Sequence, residues 1–316
     1  MADNGGQWER DVLEKLALAS IREQRSARRW GIFFKLLTFA YVSVILFLAI
    51  DWRGKAEGMT DGKHTALVEI SGIIGPGTDA SAERVTTALQ AAFKDKGTQG
   101  VVVRINSPGG SPAQSQNIYD EMRRLRAKHS TIPLYVVVED ICASGGYFVA
   151  AGADRIYVNK SSLVGSIGVR MDGWGVTGLM DKLGVERRLL TAGENKGFLD
   201  PFLPVDEKQK LHAQVMLNEI HQQFISVVRE GRGKRLKENP ELFSGLIWTG
   251  QKSVDLGLAD GFGSLDYVAR EVIKAEEIVD YTRKENIAEK FARRLGAGAA
   301  SAVVELAVRN SPSLTR

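Results

Sequence analysis

Between residues 66 and 158 the chain alternates short apolar runs with longer stretches in which apolar residues recur every three or four positions. Residues 66–70, 100–105, 134–138 and 155–158 are rich in Val and Ile. β-branched side chains suit a pleated backbone, and a nearly unbroken apolar run marks a strand covered on both faces. The segments between them predict helices over 81–93 and 112–128, and a short helix of small residues from 144 to 152. Strands alternating with helices are the mark of parallel βαβ units, so an α/β fold is expected. Further on, 174–183 and 205–229 read as helices, 186–190 as a strand, and 249–260 as a closing helix and turn. From Glu277 charged residues alternate with Ala and Leu, and Gly296–Ser301 has little power to form a core, so 276–316 is expected to be a loosely held tail.

The longest apolar run precedes all of this. Residues 32–50 are interrupted only by Lys35, with Tyr41 inside the run and Trp52 just beyond it. About 20 apolar residues span a bilayer core, so the run predicts a single transmembrane anchor. A cleaved signal would have a shorter core closer to the N-terminus. Arg22, Arg25, Arg28 and Arg29 stand before it, with no acid after Glu23. Arginines on that side place residues 1–31 in the cytoplasm and the rest outside, in the periplasm of the inner membrane if the cell is Gram-negative. Trp8, Val12, Leu16 and Ala19 fall at helical spacing, an amphipathic pattern suited to lying on a membrane face. Residues 51–64 read as a polar linker, and 65–275 as the folded domain.

Candidate chemistry gathers at the ends of two predicted strands. Val136–Asp140 runs into Ile141-Cys142-Ala143-Ser144-Gly145-Gly146, which places Ser144 on a sharp turn at a helix start, beside backbone N–H groups able to receive an oxyanion. The Gly-x-Ser-x-Gly spelling of the histidine-dependent hydrolases is missing, because Cys142 stands where their first glycine would be. A plain tight turn is the competing reading. The strand at 100–105 ends in Asn106-Ser107-Pro108-Gly109-Gly110-Ser111, a loop whose glycines allow close backbone approach. It lacks the spacing of a phosphate cradle. Two such turns at the ends of successive parallel strands face the same sheet edge, where α/β folds place their sites.

Composition removes several classes of function. The net charge of +4 is modest and largely local to the segment before the apolar run, so no nucleic-acid partner is expected. Cys142 is alone, which excludes an intramolecular disulfide; it could be a nucleophile only with a base nearby, and none is evident. His64, His129, His212 and His221 show no metal-binding spacing and no pattern pointing to a triad, so neither metal nor cofactor is expected. A lysine can serve as base when burial and hydrogen bonding keep its amine neutral. Lys160, Lys182 and Lys196 all follow Ser144, and spacing does not choose among them.

Four motifs in order, Asn106–Ser111, Ala143–Tyr147, Gly165–Val169 and Gly193–Gly197, resemble the signal peptide peptidase A family in its short form, with one catalytic unit. The resemblance covers roughly residues 65–272. It implies a crotonase- and Clp-protease-like repeated ββα superhelix behind an N-terminal transmembrane helix. It implies Ser144 as nucleophile, Lys196 as general base and Ser166 as a hydroxyl bonded to that lysine. Gly109, Gly110 and Gly145 would form the oxyanion hole. It also implies a homo-oligomer in which Ser144 and Lys196 meet across a subunit boundary. The expected function is a membrane-anchored serine endopeptidase acting on membrane-proximal hydrophobic peptides, such as cleaved signal peptides. A crotonase-type acyl-thioester enzyme and a non-catalytic membrane scaffold are the alternatives.

Overall fold

The density of β-branched residues decides which strands lie at the centre of the sheet. In the computed structural model, which describes Leu18 and residues 23–26, 28–44 and 62–283, strand β2 (Thr98–Ser107) is covered on both faces. Val101, Val102, Val103 and Ile105 are fully buried there. It lies between β1 (His64–Ser71) and β3 (Leu134–Ala143), parallel to both. The sheet is 8-stranded, in the order β6-β5-β3-β2-β1-β8, with β4 on β3 and β7 on β4. The outer strands are short: β4 (Arg155–Val158), β5 (Leu163–Gly165), β6 (Ile247–Thr249), β7 (Gly261–Phe262) and β8 (Ile278–Asp280). All pairings are parallel except β5 with β6.

The chain divides into two units, Met1–Lys55 with Glu285–Arg316, and Ala56–Lys284. In the first, residues 28–44 form helix α1, where the rings of Trp30, Phe33 and Phe34 contact one another. The expected anchor at 32–50 is therefore helical as far as residue 44, and 45–50 lie outside the described residues. Among the described residues no helix is long and apolar enough to cross a membrane. At about 1.5 Å per residue, 28–44 reach about 25 Å against a hydrocarbon core of about 30 Å. The amphipathic segment at 8–21, except Leu18, the linker up to residue 61 and the tail beyond 283 also lie outside the described residues.

In the second unit, α2 (Ala82–Lys94), α3 (Pro112–Lys128) and α4 (Gly145–Ala150) cover one face of the sheet. Leu89, Ile118, Met122 and Tyr147 pack there against Val103 and Val136. Each fully buried aliphatic side chain of this kind contributes about 1.5–3 kcal/mol. The start of α3 follows from its sequence: Pro112 occupies the first turn, and the Ser111 hydroxyl accepts from the Gln114 N–H. A long helix, α6 (Glu207–Arg232), begins at Asp206, whose carboxylate accepts from the N–H groups of Lys208 and Gln209.

The far end of α6 is tied to helix α4 by a buried polar network. Arg232, with a fully buried side chain, donates to the Gly257 carbonyl at 2.8 Å and to Asp260 at 2.9 Å. Asp260 also accepts from the Ile156 N–H at 2.7 Å and from Arg235 at 3.0 Å. The Tyr147 hydroxyl donates to the Leu258 carbonyl at 2.8 Å. The 257–260 turn is thereby held between α4 and α6.

Three expectations change. Residues 186–190 form no strand; they are exposed or half-buried, and Arg187 pairs with Asp200 and Arg188 with Glu186 instead of lining a sheet. The helix expected from 174 begins later, as α5 (Thr177–Leu183), because Gly173 and Gly175 precede it. The folded unit also extends past residue 275: β8 pairs with β1, and Tyr281 packs on His64.

Candidate active site

Strand β3 is the hinge of the site because it pairs with two strands in succession on one side. Tyr135–Val137 pair with β4, whereas Ile141–Ala143 pair with β5. On its other side the β2 register jumps from Ile105 opposite Val138 to Ser107 opposite Cys142, an irregularity that carries β3 past Glu139 and Asp140. The ends of β3 and β5 thus stand side by side, with Ala143 opposite Gly165. Ser144 and Ser166 are the next residues of each.

Both serines have left-handed backbone, with φ of 52° at Ser144 and 51° at Ser166. A residue with a Cβ held there costs on the order of 1–3 kcal/mol, which the surroundings must offset. At Ser144 they do so through backbone bonds. Its N–H donates to the Gly165 carbonyl at 2.8 Å, and its carbonyl accepts from Phe148 at 2.9 Å as α4 begins. Its side chain makes no capping hydrogen bond and is half-buried, so the hydroxyl is not consumed by the helix start.

The Gly109–Gly110 loop presses directly on this turn. A Cβ on Gly109 would lie 2.6 Å from the Gly145 nitrogen, 2.8 Å from the Ala143 carbonyl oxygen and 2.8 Å from Ser144 Cβ. With φ of 98°, only glycine fits this position without distortion. The Gly109 N–H donates to Ser107 Oγ at 3.1 Å, and Ser107 Oγ donates to the Gly72 carbonyl at 2.6 Å. The Gly109 amide is therefore spent on holding the loop. Gly110 faces Gly145 instead: a Cβ on Gly145 would lie 3.2 Å from the Gly110 nitrogen and would collide with Ser115 Oγ. Neither the Gly110 nor the Gly145 N–H has a protein acceptor among the described residues. Two free amides beside an unspent serine hydroxyl are the arrangement that stabilises a tetrahedral oxyanion.

Lys196 stands apart. It lies in a turn where its N–H donates to the Gly193 carbonyl at 3.1 Å, and its side chain is exposed. Phe198 nearby packs edge-on against His212 of α6, and the Leu199 N–H donates to Gln209. Among the described residues no hydrogen bond or ion pair joins Lys196 to Ser144 or Ser166. The other candidates add nothing at Ser144. Burial pushes the Cys142 thiol far up from its ordinary value, which leaves it protonated and inert. His64 lies at the start of β1, at the opposite sheet edge, bonded to Tyr281 and Thr98. His221 bonds the Ile167 carbonyl. Among the described residues no group of three or more His, Cys, Asp or Glu could hold a metal ion.

The sequence reading named the glycines and serines at the two turns but missed their supports. Ser107, Ser115, Leu246 and His221 hold the backbone of the site, and only Ser107 lies inside one of the motifs. Ser115 lies one helical turn past Ser111, whereas Leu246 and His221 come from distant elements, and no local pattern marks any of the three.

Comparison with known proteins supplies the family. The profile of Peptidase family S49 matches residues 126–279, which include Ser144, Ser166 and Lys196. The Clp protease profile matches residues 66–163, which include the glycine loop. The sheet is thus a mixed α/β fold of the Clp-protease kind. A Brucella melitensis protein named as the Na(+)/H(+) antiporter NhaA is 48% identical over 177 residues, which are 56% of this chain and 24% of that protein. A candidate signal peptide peptidase SppA of Enterococcus faecium is 32% identical over 62% of this chain and 56% of its own length. A candidate protease of Synechocystis is 32% identical over 64% of this chain and 70% of its own. The chain thus spans about a quarter of the antiporter-named relative and rather more than half of the Enterococcus protein. The Synechocystis match, which covers most of that protein's length, stands with the profile: the chain belongs to peptidase family S49.

Proposed function

We propose that this chain is a serine endopeptidase in which Ser144 is the nucleophile and Lys196 the general base. The observation that carries the reading is the Ser144 turn. A serine is held on left-handed backbone, its hydroxyl free of capping, with the Gly110 and Gly145 amides open beside it. Neutral Lys196 takes the Oγ proton as Ser144 attacks the scissile carbonyl, and the two amides receive the developing negative charge. Each donor of this kind is worth about 3–4 kcal/mol in comparable sites. The protonated lysine then gives its proton to the leaving amine, and water, activated by the same lysine, releases the acyl group. Ser166 supports the neutral amine by hydrogen bonding. Gly109 shapes the hole without donating to it.

Lysine becomes a base when it is desolvated. The segment that carries Lys196 also leaves Trp174 87% and Leu190 97% exposed, and helix α5 buries no residue. A second copy of the chain seated on this segment would cover those side chains, desolvate Lys196 and bring it to a neighbouring Ser144. A superhelical ββα unit assembled in this way fits the Clp-like sheet. The apolar run at 32–50 supports a single-pass anchor, with the N-terminus in the cytoplasm and the peptidase unit in the periplasm. An anchored site meets membrane-proximal hydrophobic peptides, cleaved signal peptides among them, at raised effective concentration.

The test is complementation of full-length protein in detergent. Ser144→Ala and Lys196→Ala should each abolish hydrolysis of a hydrophobic peptide, and mixed, co-assembled variants should regain part of it. Full activity of either variant alone overturns the dyad. Failure of co-assembled mixtures would place both residues within one chain.

A further inference from the structure

The turn that carries Ser166 is held by an unusual set of contacts. Gly165 and Ser166 both have positive φ, 113° and 51°, so the chain reverses sharply just past β5. The Ser166 N–H donates to the Leu246 carbonyl at 2.7 Å, and the Ser166 carbonyl accepts from the Gly168 N–H at 2.9 Å. A Cβ on Gly168 would lie 3.0 Å from Gly245 Cα, so the turn is packed backbone to backbone on that side. The Ile167 side chain is fully buried in the main core. One polar side chain reaches the backbone of 165–168 among the described residues: His221 of α6, with Nε2 3.1 Å from the Ile167 carbonyl oxygen. A carbonyl oxygen only accepts, so Nε2 carries the proton and donates it. It does so whether the ring is neutral or charged.

We infer that His221 is a positioning residue of this site, acting through Ser166. The inference rests on the reading of Ser144, Lys196 and Ser166 given above. Left-handed backbone is unfavourable for a residue with a Cβ, so the Ser166 turn keeps its shape only while its neighbours hold it. The Ile167 carbonyl lies one peptide plane beyond Ser166, so the His221 bond fixes ψ of Ile167 and, with the fully buried Ile167 side chain, holds the chain where it leaves the Ser166 turn. Without the His221 donor this carbonyl loses its partner, and Ser166 can relax toward the ordinary region. Its hydroxyl then moves away from the position in which it serves the lysine amine. The Ser144 N–H also bonds Gly165 at the root of the same turn, but that bond does not involve His221. The effect therefore falls on the base rather than on the nucleophile.

The experiment is a double-mutant cycle on the full-length protein, with hydrolysis of a hydrophobic peptide as readout. His221→Ala should lower kcat by roughly tenfold to a hundredfold, the scale of a small misplacement of catalytic groups, with KM changed less than about twofold. His221→Gln keeps an N–H donor at the place of Nε2 and should recover most of kcat. In a Ser166→Ala background, His221→Ala should cost less than about twofold further, because the group it positions is already gone. A role in stability alone would lower folded protein in both backgrounds alike and leave kcat per folded molecule unchanged. Should His221→Ala not fold, His221→Met fills the space without a donor and takes its place in the cycle. Equal loss of kcat in both backgrounds, or no recovery with His221→Gln, overturns the inference. If Ser144→Ala itself retains hydrolysis, the underlying reading fails first, and the two failures are distinguishable.

Discussion

The Ser144 turn and the Lys196 segment carry the two halves of one proposed reaction, and they are built in opposite ways. At the Ser144 turn the packing is close: Gly109 presses on Ser144 and Gly145, Ser115 lies against Gly145, and the Gly165 carbonyl accepts from the Ser144 N–H. Around Lys196 the side chains face outward, and large apolar residues from 171 to 205 stand exposed. The first region is complete within a single chain. The second has the composition of a surface awaiting cover, since monomers rarely leave so many large apolar groups together in water. The contrast separates what the fold pre-organises, the proposed nucleophile and its two open amides, from what assembly would complete, the proposed base.

The comparison breaks most sharply at Gly109. In Gly109→Ala the new methyl meets three atoms that cannot move aside, two of them backbone. Hydrolysis should fall by roughly 10²–10³-fold through loss of the hole. Stability should fall by about 1–3 kcal/mol through overpacking. Steady-state kinetics and chemical denaturation of the same sample check both. Lys196→Ala should abolish hydrolysis while shifting the melting temperature by no more than about 1–2 °C, because an exposed side chain is removed. A large loss of stability there would erase the contrast.

The network behind helix α4 gives an effect on stability first. Burial raises the Asp260 carboxyl, but the Arg232 hydrogen bond and charge, the Ile156 N–H and Arg235 outweigh it and hold it below the usual carboxylate range. A carboxylate held low contributes stability above its unfolded value of about 3.9, and that stability is lost as pH falls toward the folded value. Asp260→Asn should cost about 3 kcal/mol at neutral pH by leaving Arg232 unpaired in the core. It should also flatten the acid limb of the unfolding midpoint below about pH 4. A variant as acid-sensitive as the parent would remove Asp260 from that role. The smallest effect within the chain belongs to Leu190→Glu. It should leave the fold unchanged, within about 0.5 kcal/mol, yet shift sedimentation toward smaller species. Unchanged assembly would exclude this segment as the covered face.

The legible part of the molecule was what local chemistry dictates. β1 to β4 and their helices follow from β-branched runs and helical spacing. Both glycine turns were visible as breaks at strand ends. What local pattern could not supply is pairing at a distance. β5 and β6 have three residues each, too short to show a period, and they are strands only because β3 splits its partners. Residues 186–190 have no β-branched or aromatic residue, only Leu189 and Leu190 after three charges, and no neighbouring strand to bond. β8 lies in what looks like tail, and its place comes from the free edge of β1. At the site, the serines and glycines were readable as turn residues, but which amide is open was not. That depends on Ser107 Oγ taking the Gly109 N–H.

The central claim is that Ser144 is a nucleophile prepared by its backbone. Its most direct test is covalent trapping with a serine-reactive phosphonate, followed by peptide mapping of the full-length protein. The account predicts a single modified site at Ser144, formed at a rate that falls at least tenfold in Gly109→Ala and is absent in Ser144→Ala. Modification at Cys142 or at another serine, with Ser144 unlabelled while the protein hydrolyses peptide, would contradict it.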